Sequence, residues 1–135
     1  MVTITLLQAN NADREVLVMT TSLCRIVTET ETLRDLHWSS SDCLVSWTNA
    51  GVWTSEAAGT TVTSTSRSHE ADLLAVGDDG GHVSLYQHPA SQPTCARHVY
   101  GGHSSEVTRV SFLADDTRLV SVGGKDCAIM QWEVM

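Results

Sequence analysis

Apolar and polar residues alternate along the chain in short runs of about five residues, and turn-forming residues separate the runs. The firmest runs are residues 73–77 and 82–86. They flank residues 78–81, Asp-Asp-Gly-Gly, which predict a hairpin turn because glycine readily takes positive φ. Weaker runs are at 15–20, 23–28, 33–38, 43–47 and 95–100. No long segment has the helical period, so the pattern predicts an all-β chain of about 12 short strands.

Residues 54–68 are rich in serine and threonine and admit two interpretations. Residues 61–66 alternate in a way that suits an edge or outer strand. The alternative is a flexible linker open to phosphorylation, because a polar stretch buries too little apolar surface to order itself. The pattern leaves both interpretations open.

Two parts of the chain repeat. An offset of 46 residues places Leu74 on Val120, Gly77 on Gly123 and Tyr86 on Trp132. A period in the forties with four strands per unit is typical of β-propeller blades. About 12 strands make about three blades, whereas propellers close their ring with about four to eight. We therefore expect an all-β, partial WD-repeat propeller of about three four-stranded blades, whose ring is not closed.

The last unit carries the blade signature most fully. Gly102 and His103 open it, and Asp126 and Trp132 close it. The spacing suits a hydrogen bond between His103 and Asp126, and the indole N–H of Trp132 needs an acceptor when buried. We predict these four residues as the structural network of the blade. We divide the chain into three parts: one or more degenerate propeller blades in residues 1–60, a degenerate WD-repeat blade in residues 61–100, and a carboxyl-terminal WD-repeat blade in residues 101–135.

The acceptor for Trp132 is the weak point of this network. Complete blades take it from a serine or threonine on the second strand, and that position aligns here with Val122. Ser121 is expected to point to the opposite face, because side chains alternate along a strand. We therefore expect an incomplete network, and an unpaired buried indole N–H costs about 1–3 kcal/mol.

Several segments together resemble one family, the carboxyl-terminal end of the echinoderm microtubule-associated protein-like WD-repeat proteins. They are Leu-Arg-Asp-Leu-His-Trp at 33–38, Gly-Val-Trp at 51–53, Gly-Asp-Asp at 77–79, Tyr-Gly-Gly-His-Ser-Ser-Glu-Val-Thr at 100–108, and Gly-Gly-Lys-Asp at 123–126 followed by Gln-Trp at 131–132. The resemblance covers residues 13–135. It implies the last blades of the second of two tandem propellers, and hence a fragment or a truncated product.

The resemblance also implies a function. Members of this family bind soluble tubulin through the tandem propeller, attach to microtubules through an amino-terminal coiled coil and basic region, and have no known catalytic activity. Neither the heptads nor the basic region occurs in this sequence. The implied partners are tubulin or microtubules and other proteins, in the cytoplasm and cytoskeleton. The alternative is a general protein scaffold that does not bind microtubules.

The charge of the chain limits its possible partners, and its cysteines and apolar runs indicate its compartment. The chain has 16 acidic and 8 basic residues, a net charge of −8, which repels phosphate backbones and anionic membranes. We expect neither nucleic acid nor membrane as a partner. None of the four cysteines forms a C-x-x-C pair, and neither a signal peptide nor a spanning apolar run is present. We therefore expect a soluble intracellular protein with free thiols.

Candidate chemistry is sparse. His103 and Asp126 could form a catalytic pair in a small hydrolase, but their spacing is the structural one, so we predict no enzyme. Adjacent carboxylates at 78–79 fit a solvated turn better than a cation site. The group of His82, His88, His98 and Cys95 has no ligand spacing. We predict no catalytic residue, cofactor or metal.

Three tryptophans outside the repeat have two interpretations. Trp38, Trp47 and Trp53 either belong to the core, which is the favoured interpretation, or form an exposed patch that faces a protein partner.

Overall fold

The computed structural model describes residues 6–41, 43–53 and 60–135, in which strands are the main regular elements. Numbered in chain order, the strands are β1 (Leu6–Asn10), β2 (Val16–Thr20), β3 (Arg25–Ile26), β4 (Val62–Arg67), β5 (Leu73–Asp78), β6 (His82–Gln87), β7 (Arg97–Gly101), β8 (Val107–Phe112), β9 (Arg118–Gly123) and β10 (Ile129–Glu133). They form three antiparallel sheets, ordered β1-β2-β3, β4-β5-β6-β7 and β10-β9-β8. The predicted all-β fold with an unclosed ring is confirmed. The division into blades at residues 60 and 100 stays a prediction.

The described residues contain ten strands rather than about 12, and two predicted strands are wrong. Residues 33–38 begin at the last residue of a 3-10 turn, Thr30–Leu33, and like residues 43–47 they pair with none of the described strands. In the second segment, the amide of Val45 donates to Asn10 Oδ1 at 3.0 Å, and the amide of Ser46 donates to Asn49 Oδ1 at 2.5 Å. Because side chains satisfy these amides, no neighbouring strand is needed.

Strand β4 decides between the two interpretations of the Ser/Thr-rich stretch. Residues 54–59 of that stretch lie outside the described residues. Strand β4 is largely buried and is not a linker. Ser64 Oγ accepts a hydrogen bond from the amide of Val110 at 3.1 Å, and Ser66 Oγ accepts one from the amide of Phe112 at 3.1 Å. Since a buried amide needs an acceptor, these hydroxyls join β4 to β8 of the next sheet. The polar composition therefore serves sheet stacking.

The four-stranded sheet is covered on both faces. Leu74 and Ala75 are neighbours on β5, yet they belong to different clusters because side chains alternate. One cluster comprises Val52, Val62, Leu74, Val76, Tyr86 and Ala90. The other comprises Ala75, Val83, Val107, Val110, Phe112 and Leu119. The last sheet covers one face of the middle sheet, and Val52 and Ala90, outside any strand, help to cover the other, so the middle sheet does not cover its own faces.

The strand register shows that the repeat is not uniform. Both units begin with a bulge, at Thr63 in β4 and at Thr108 in β8, an offset of 45 residues. Each bulge is followed by equivalent pairings of the first two strands, so β5 and β9 also differ by 45. Tyr86 on β6 and Trp132 on β10 differ by 46. The turn between β9 and β10 therefore holds one more residue than the turn between β5 and β6.

This extra residue corrects the sequence alignment. Leu74, which pairs with Tyr86, corresponds to Leu119, which pairs with Trp132. The predicted match of Leu74 with Val120 is therefore wrong by one residue, and Gly77 corresponds to Val122 rather than Gly123. On a strand, an error of one residue reverses the face to which every side chain is assigned.

Candidate functional site

A chain of hydrogen bonds crosses the last sheet. His103 Nδ1 lies 2.9 Å from Asp126 Oδ2, and His103 Nε2 lies 2.8 Å from Ser121 Oγ. Trp132 Nε1 donates to the same Ser121 Oγ at 2.8 Å. The side chain of His103 is fully buried, and that of Asp126 is 6% exposed. The structure therefore brings His103, Asp126 and Trp132 together through a fourth residue, Ser121.

The expectation that Trp132 lacks an acceptor is wrong. Ser121 pairs with Met130, and Leu119 pairs with Trp132. Directly opposed residues share a face, and so do residues two apart, so Ser121 and Trp132 lie on the same face. Val122 pairs with Ile129 on the other face. The strand register, rather than the sequence alignment, identifies the serine.

The carboxylate of Asp126 is held in its charged form. It accepts hydrogen bonds from the amides of Ala128 at 3.1 Å and Ser104 at 3.2 Å, as well as from His103. The Ala128 amide, followed by His103 and Ser104, lowers the pKa of Asp126, although burial acts in the opposite direction. An ionised Asp126 requires the Nδ1–H tautomer of His103. Nε2 then accepts from the Ser121 hydroxyl, which in turn accepts from Trp132.

Ser121, His103 and Asp126 have the connectivity of a hydrolytic triad, but a nucleophile must reach a substrate. Ser121 is 0% exposed. Its oxygen is also occupied by the indole N–H of Trp132. The arrangement therefore couples the start of the sheet to its third strand and leaves no position for a reacting carbonyl.

Gly102 lies close to the side chains of Met130 and Trp132. A Cβ built there would be 2.9 Å from Met130 Sδ and 3.3 Å from the Trp132 ring. Tyr100, two residues earlier, contacts the same ring, with 6.1 Å between ring centroids. Trp132 is thus contacted by the end of β7 and by the first residue of the connection that follows it.

The three other tryptophans lie in different environments. Trp53 packs against the first core cluster, and its Nε1 donates to Leu44 O at 2.9 Å. Trp38 is half-buried, and its carbonyl accepts from Arg67 at 2.9 Å. Trp47 is 45% exposed. Of the three, Trp47 presents the most exposed ring for a partner.

Sequence reasoning missed a second link between sheets. Asp116, in the turn between β8 and β9, accepts from the amides of His69 at 2.9 Å and Glu70 at 3.0 Å. His69 Nδ1 lies 2.7 Å from the same carboxylate. Burial alone raises the pKa of Asp116, but the bonds from His69 and Glu70 outweigh it and lower the pKa. Aspartates are common in turns, so the sequence offered no signal for a partner 47 residues away.

The remaining candidate sites carry no evident chemistry. Asp78 Oδ1 accepts from the amides of Gly80 and His82, both at 2.9 Å, and Asp79 accepts from the amide of Thr61 at 2.8 Å. Within the described residues, no group of three or more acidic, histidine or cysteine side chains could hold a metal ion. A cleft of about 570 Å³ lies between β1, the 34–41 segment and Arg67. No helix among the described residues is long and apolar enough to cross a membrane.

Stacked antiparallel sheets, a 45- to 46-residue repeat and the His–Ser–Trp–Asp network define a segment of a WD-repeat β-propeller. Residues 3–134 match the family model described as the echinoderm microtubule-associated protein second beta-propeller. The chain belongs to this family, which confirms the resemblance predicted from its motifs.

Curated relatives agree with this assignment. The chain is 44% identical over 129 residues to human echinoderm microtubule-associated protein-like 1, covering 96% of this chain and 16% of that protein. It is 39% identical over 125 residues to rat echinoderm microtubule-associated protein-like 2, covering 93% and 19%. It is 37% identical over 131 residues to the 77 kDa echinoderm microtubule-associated protein of Lytechinus variegatus, covering 97% and 20%. The chain thus spans a fifth or less of these relatives, whose names denote microtubule association and no enzyme.

Proposed function

We propose that this chain is a non-enzymatic interaction module that binds tubulin or microtubules and acts in microtubule organisation, in the cytoplasm and cytoskeleton. The observation that carries the proposal is the family match over residues 3–134. The names of the relatives support the same partner. A buried network that leaves no position for a substrate supports a binding role over a catalytic one.

Charge opposes binding of the isolated chain to the polymer. A net charge of −8 is repelled by the acidic microtubule surface. We therefore expect the isolated chain to capture soluble tubulin in a pull-down at physiological salt, but to pellet weakly with polymerised microtubules. Tight pelleting that falls steeply with salt would contradict the charge argument. Capture of neither form would contradict the proposed function and favour the general scaffold.

The exposed tryptophan provides a matched pair of variants. Trp47 is 45% exposed, and Leu113, in the turn after β8, is 39% exposed. If Trp47 faces the partner, Trp47→Ala weakens tubulin capture several-fold, because aromatic anchors dominate interfaces. Leu113→Ala is the control for removing an exposed apolar side chain. Equal effects of the two variants would remove Trp47 from the interface while leaving tubulin binding itself intact.

A further inference from the structure

Arg67, the last residue of β4, is a half-buried cation without a carboxylate partner. All the other lysine and arginine residues of the chain are exposed. Nη2 of Arg67 donates to Trp38 O at 2.9 Å, and within the described part of the chain the guanidinium forms no ion pair. Partial burial of a cation costs free energy unless an anion compensates it. The guanidinium has five N–H groups, so it keeps donors available for an anionic ligand.

Two clefts adjoin Arg67. The first is the cleft of about 570 Å³ between β1, the 34–41 segment and Arg67. The second, of about 290 Å³, lies between the 37–41 segment, the end of β4 and residues 111–112 of β8. Arg67, His37 and the serines at 39–41 line both clefts, which we together call the Arg67 site. Its size suits a ligand larger than a single small ion.

The ionisable side chains that line the Arg67 site are mainly basic. Arg34, Arg67, His37 and His88 line the first cleft, and Asp35, the one acidic residue described there, lies 3.5 Å from Arg34 Nε. No acidic residue among those described lines the second cleft. Because the whole chain has a net charge of −8, the lining of this site is opposite in sign to the rest of the protein. Such a lining is complementary to an acidic ligand.

We propose that the Arg67 site binds an acidic segment of a protein partner, with a carboxylate of that segment on the guanidinium of Arg67. A carboxylate matches the planar fork of arginine and can accept two parallel hydrogen bonds from it. The serine hydroxyls at 39–41 can bond to the peptide groups of the segment, and Leu36 and Trp38 provide apolar surface for its side-chain stems. The choice of a protein as the occupant rests on the proposed function, which is that of a protein-interaction module.

The overall charge of the chain makes the site testable with a simple probe. A net charge of −8 repels an acidic peptide from most of the surface, so binding of such a peptide reports a local site. The probe is an acetylated hexaglutamate peptide, titrated calorimetrically into the whole chain. A glycine–serine peptide of the same length shows whether binding needs the carboxylates. Inorganic phosphate shows whether the site prefers a small anion.

The test variants change the charge and the shape of Arg67 separately. Arg67→Gln removes the charge and keeps a polar side chain, whereas Arg67→Lys keeps the charge but loses the planar fork. Circular dichroism in the near ultraviolet, dominated by the tryptophans, checks that each variant keeps its packing. Because Arg67→Lys retains the cation, it tests the proposal even if Arg67→Gln does not fold.

The matched control is Arg109→Gln. Arg109 is an exposed residue of β8 and lines neither cleft. Arg109→Gln and Arg67→Gln each remove one positive charge, so they change the net charge of the chain equally. A difference between them in affinity for the peptide therefore depends on where the charge lies.

We expect the wild type to bind hexaglutamate, and Arg67→Gln to bind it about tenfold or more weakly, because bonds to a half-buried charged group contribute more than exposed ones. Arg67→Lys should be intermediate, and Arg109→Gln should stay within about twofold of the wild type. A wild type that does not bind the peptide overturns the proposal. So do equal losses in the two glutamine variants, or phosphate that binds at Arg67 as tightly as the peptide, which assigns a small-anion site.

Tubulin capture by the wild type, measured in parallel, separates this inference from the proposed function. Capture of tubulin without binding of hexaglutamate would refute the Arg67 site alone. Binding of hexaglutamate at Arg67 without capture of tubulin would support the site and refute tubulin as the partner.

Discussion

Ser121 Oγ lies 2.8 Å from Trp132 Nε1 and 2.8 Å from His103 Nε2, so one buried hydroxyl serves two aromatic side chains. Its single hydrogen and its lone pairs suffice for both bonds. Ser121 accepts from the indole and donates to the imidazole, whose other nitrogen is held by Asp126. The network thus runs without a break from β10 through β9 to the loop before β8.

Ser121→Ala tests the connection at its centre. Alanine leaves the indole N–H of Trp132 and the Nε2 of His103 without this partner, and an unsatisfied buried group costs about 1–3 kcal/mol. We expect the free energy of unfolding in urea to fall by about that amount. The tryptophan fluorescence of the folded state should also change, because the indole loses its hydrogen bond.

The control for this variant is Ser111→Ala on β8, whose exposed hydroxyl donates only to the carbonyl of Phe112 at 3.3 Å. Surface changes of this kind usually stay within about 0.5 kcal/mol. Equal losses for Ser111→Ala and Ser121→Ala would show that the buried hydroxyl stabilises the sheet no more than an exposed one does.

The fold was predictable to the extent that strands are defined by local patterns. The runs that became β5 and β6 have glycine at the turn and apolar residues on both faces, and they were predicted closely. Residues 43–47 were wrongly predicted as a strand, because the amide of Val45 donates to the side chain of Asn10, 35 residues away. Side-chain acceptors at such a distance leave no local signal.

Three members of the network were predictable from the sequence, but the serine that joins them was not. His103, Asp126 and Trp132 follow a fixed spacing, but the face of Ser121 depends on the length of the turn between β9 and β10. An alignment with a single offset cannot show an extra residue in one turn. Two offsets, 45 before the turn and 46 after it, would have placed Ser121 on the face of Trp132.

Gly81→Ala tests the junction between the middle and last sheets. Gly81 has φ of +85°, and a Cβ there would lie 2.5 Å from His103 O and 2.8 Å from Ser105 O. Left-handed backbone alone costs a residue with a Cβ about 1–2 kcal/mol, and the two carbonyls must also move. We expect a loss of at least about 2 kcal/mol in the free energy of unfolding.

Gly101→Ala is the matched control, because nothing lies within 4 Å of a Cβ built at that position. The same urea titration should show little change for it. If Gly81→Ala were as stable as Gly101→Ala, the hairpin after β5 would not press against the loop that carries His103.

Asp116→Asn tests the second link between sheets. Asparagine tolerates the φ of +56° found at this position, so the backbone is not strained further. Its amide nitrogen, however, is a donor in place of one of the two acceptor oxygens. The bonds from His69 and Glu70 therefore lose one of their acceptors. Because the site is at the surface, we expect a loss of only about 0.2–1 kcal/mol. Hydrogen exchange of the His69 and Glu70 amides should accelerate, and unchanged exchange would contradict the link.

His88 gives the stability of the chain a dependence on pH. Its Nδ1 donates to Ala71 O at 2.9 Å, and its Nε2 is buried without a partner among the described residues. Burial lowers the pKa of His88 below 6.5, although the bond to Ala71 acts in the opposite direction. A lowered pKa means that, as pH falls through 6.5, the unfolded chain takes up a proton at His88 before the folded chain does.

The free energy of unfolding should therefore decrease through His88 as pH falls from 6.5 towards the lower pKa of the folded state. Above pH 6.5, His88 should make no pH-dependent contribution to it. His88→Asn keeps a donor for Ala71 O but does not titrate. Urea unfolding of the wild type and of His88→Asn, measured above and below pH 6.5, shows how much of the pH dependence comes from His88. The wild type should lose more stability than His88→Asn on acidification, whereas equal losses would show that a proton binds His88 equally well in the folded and unfolded chains.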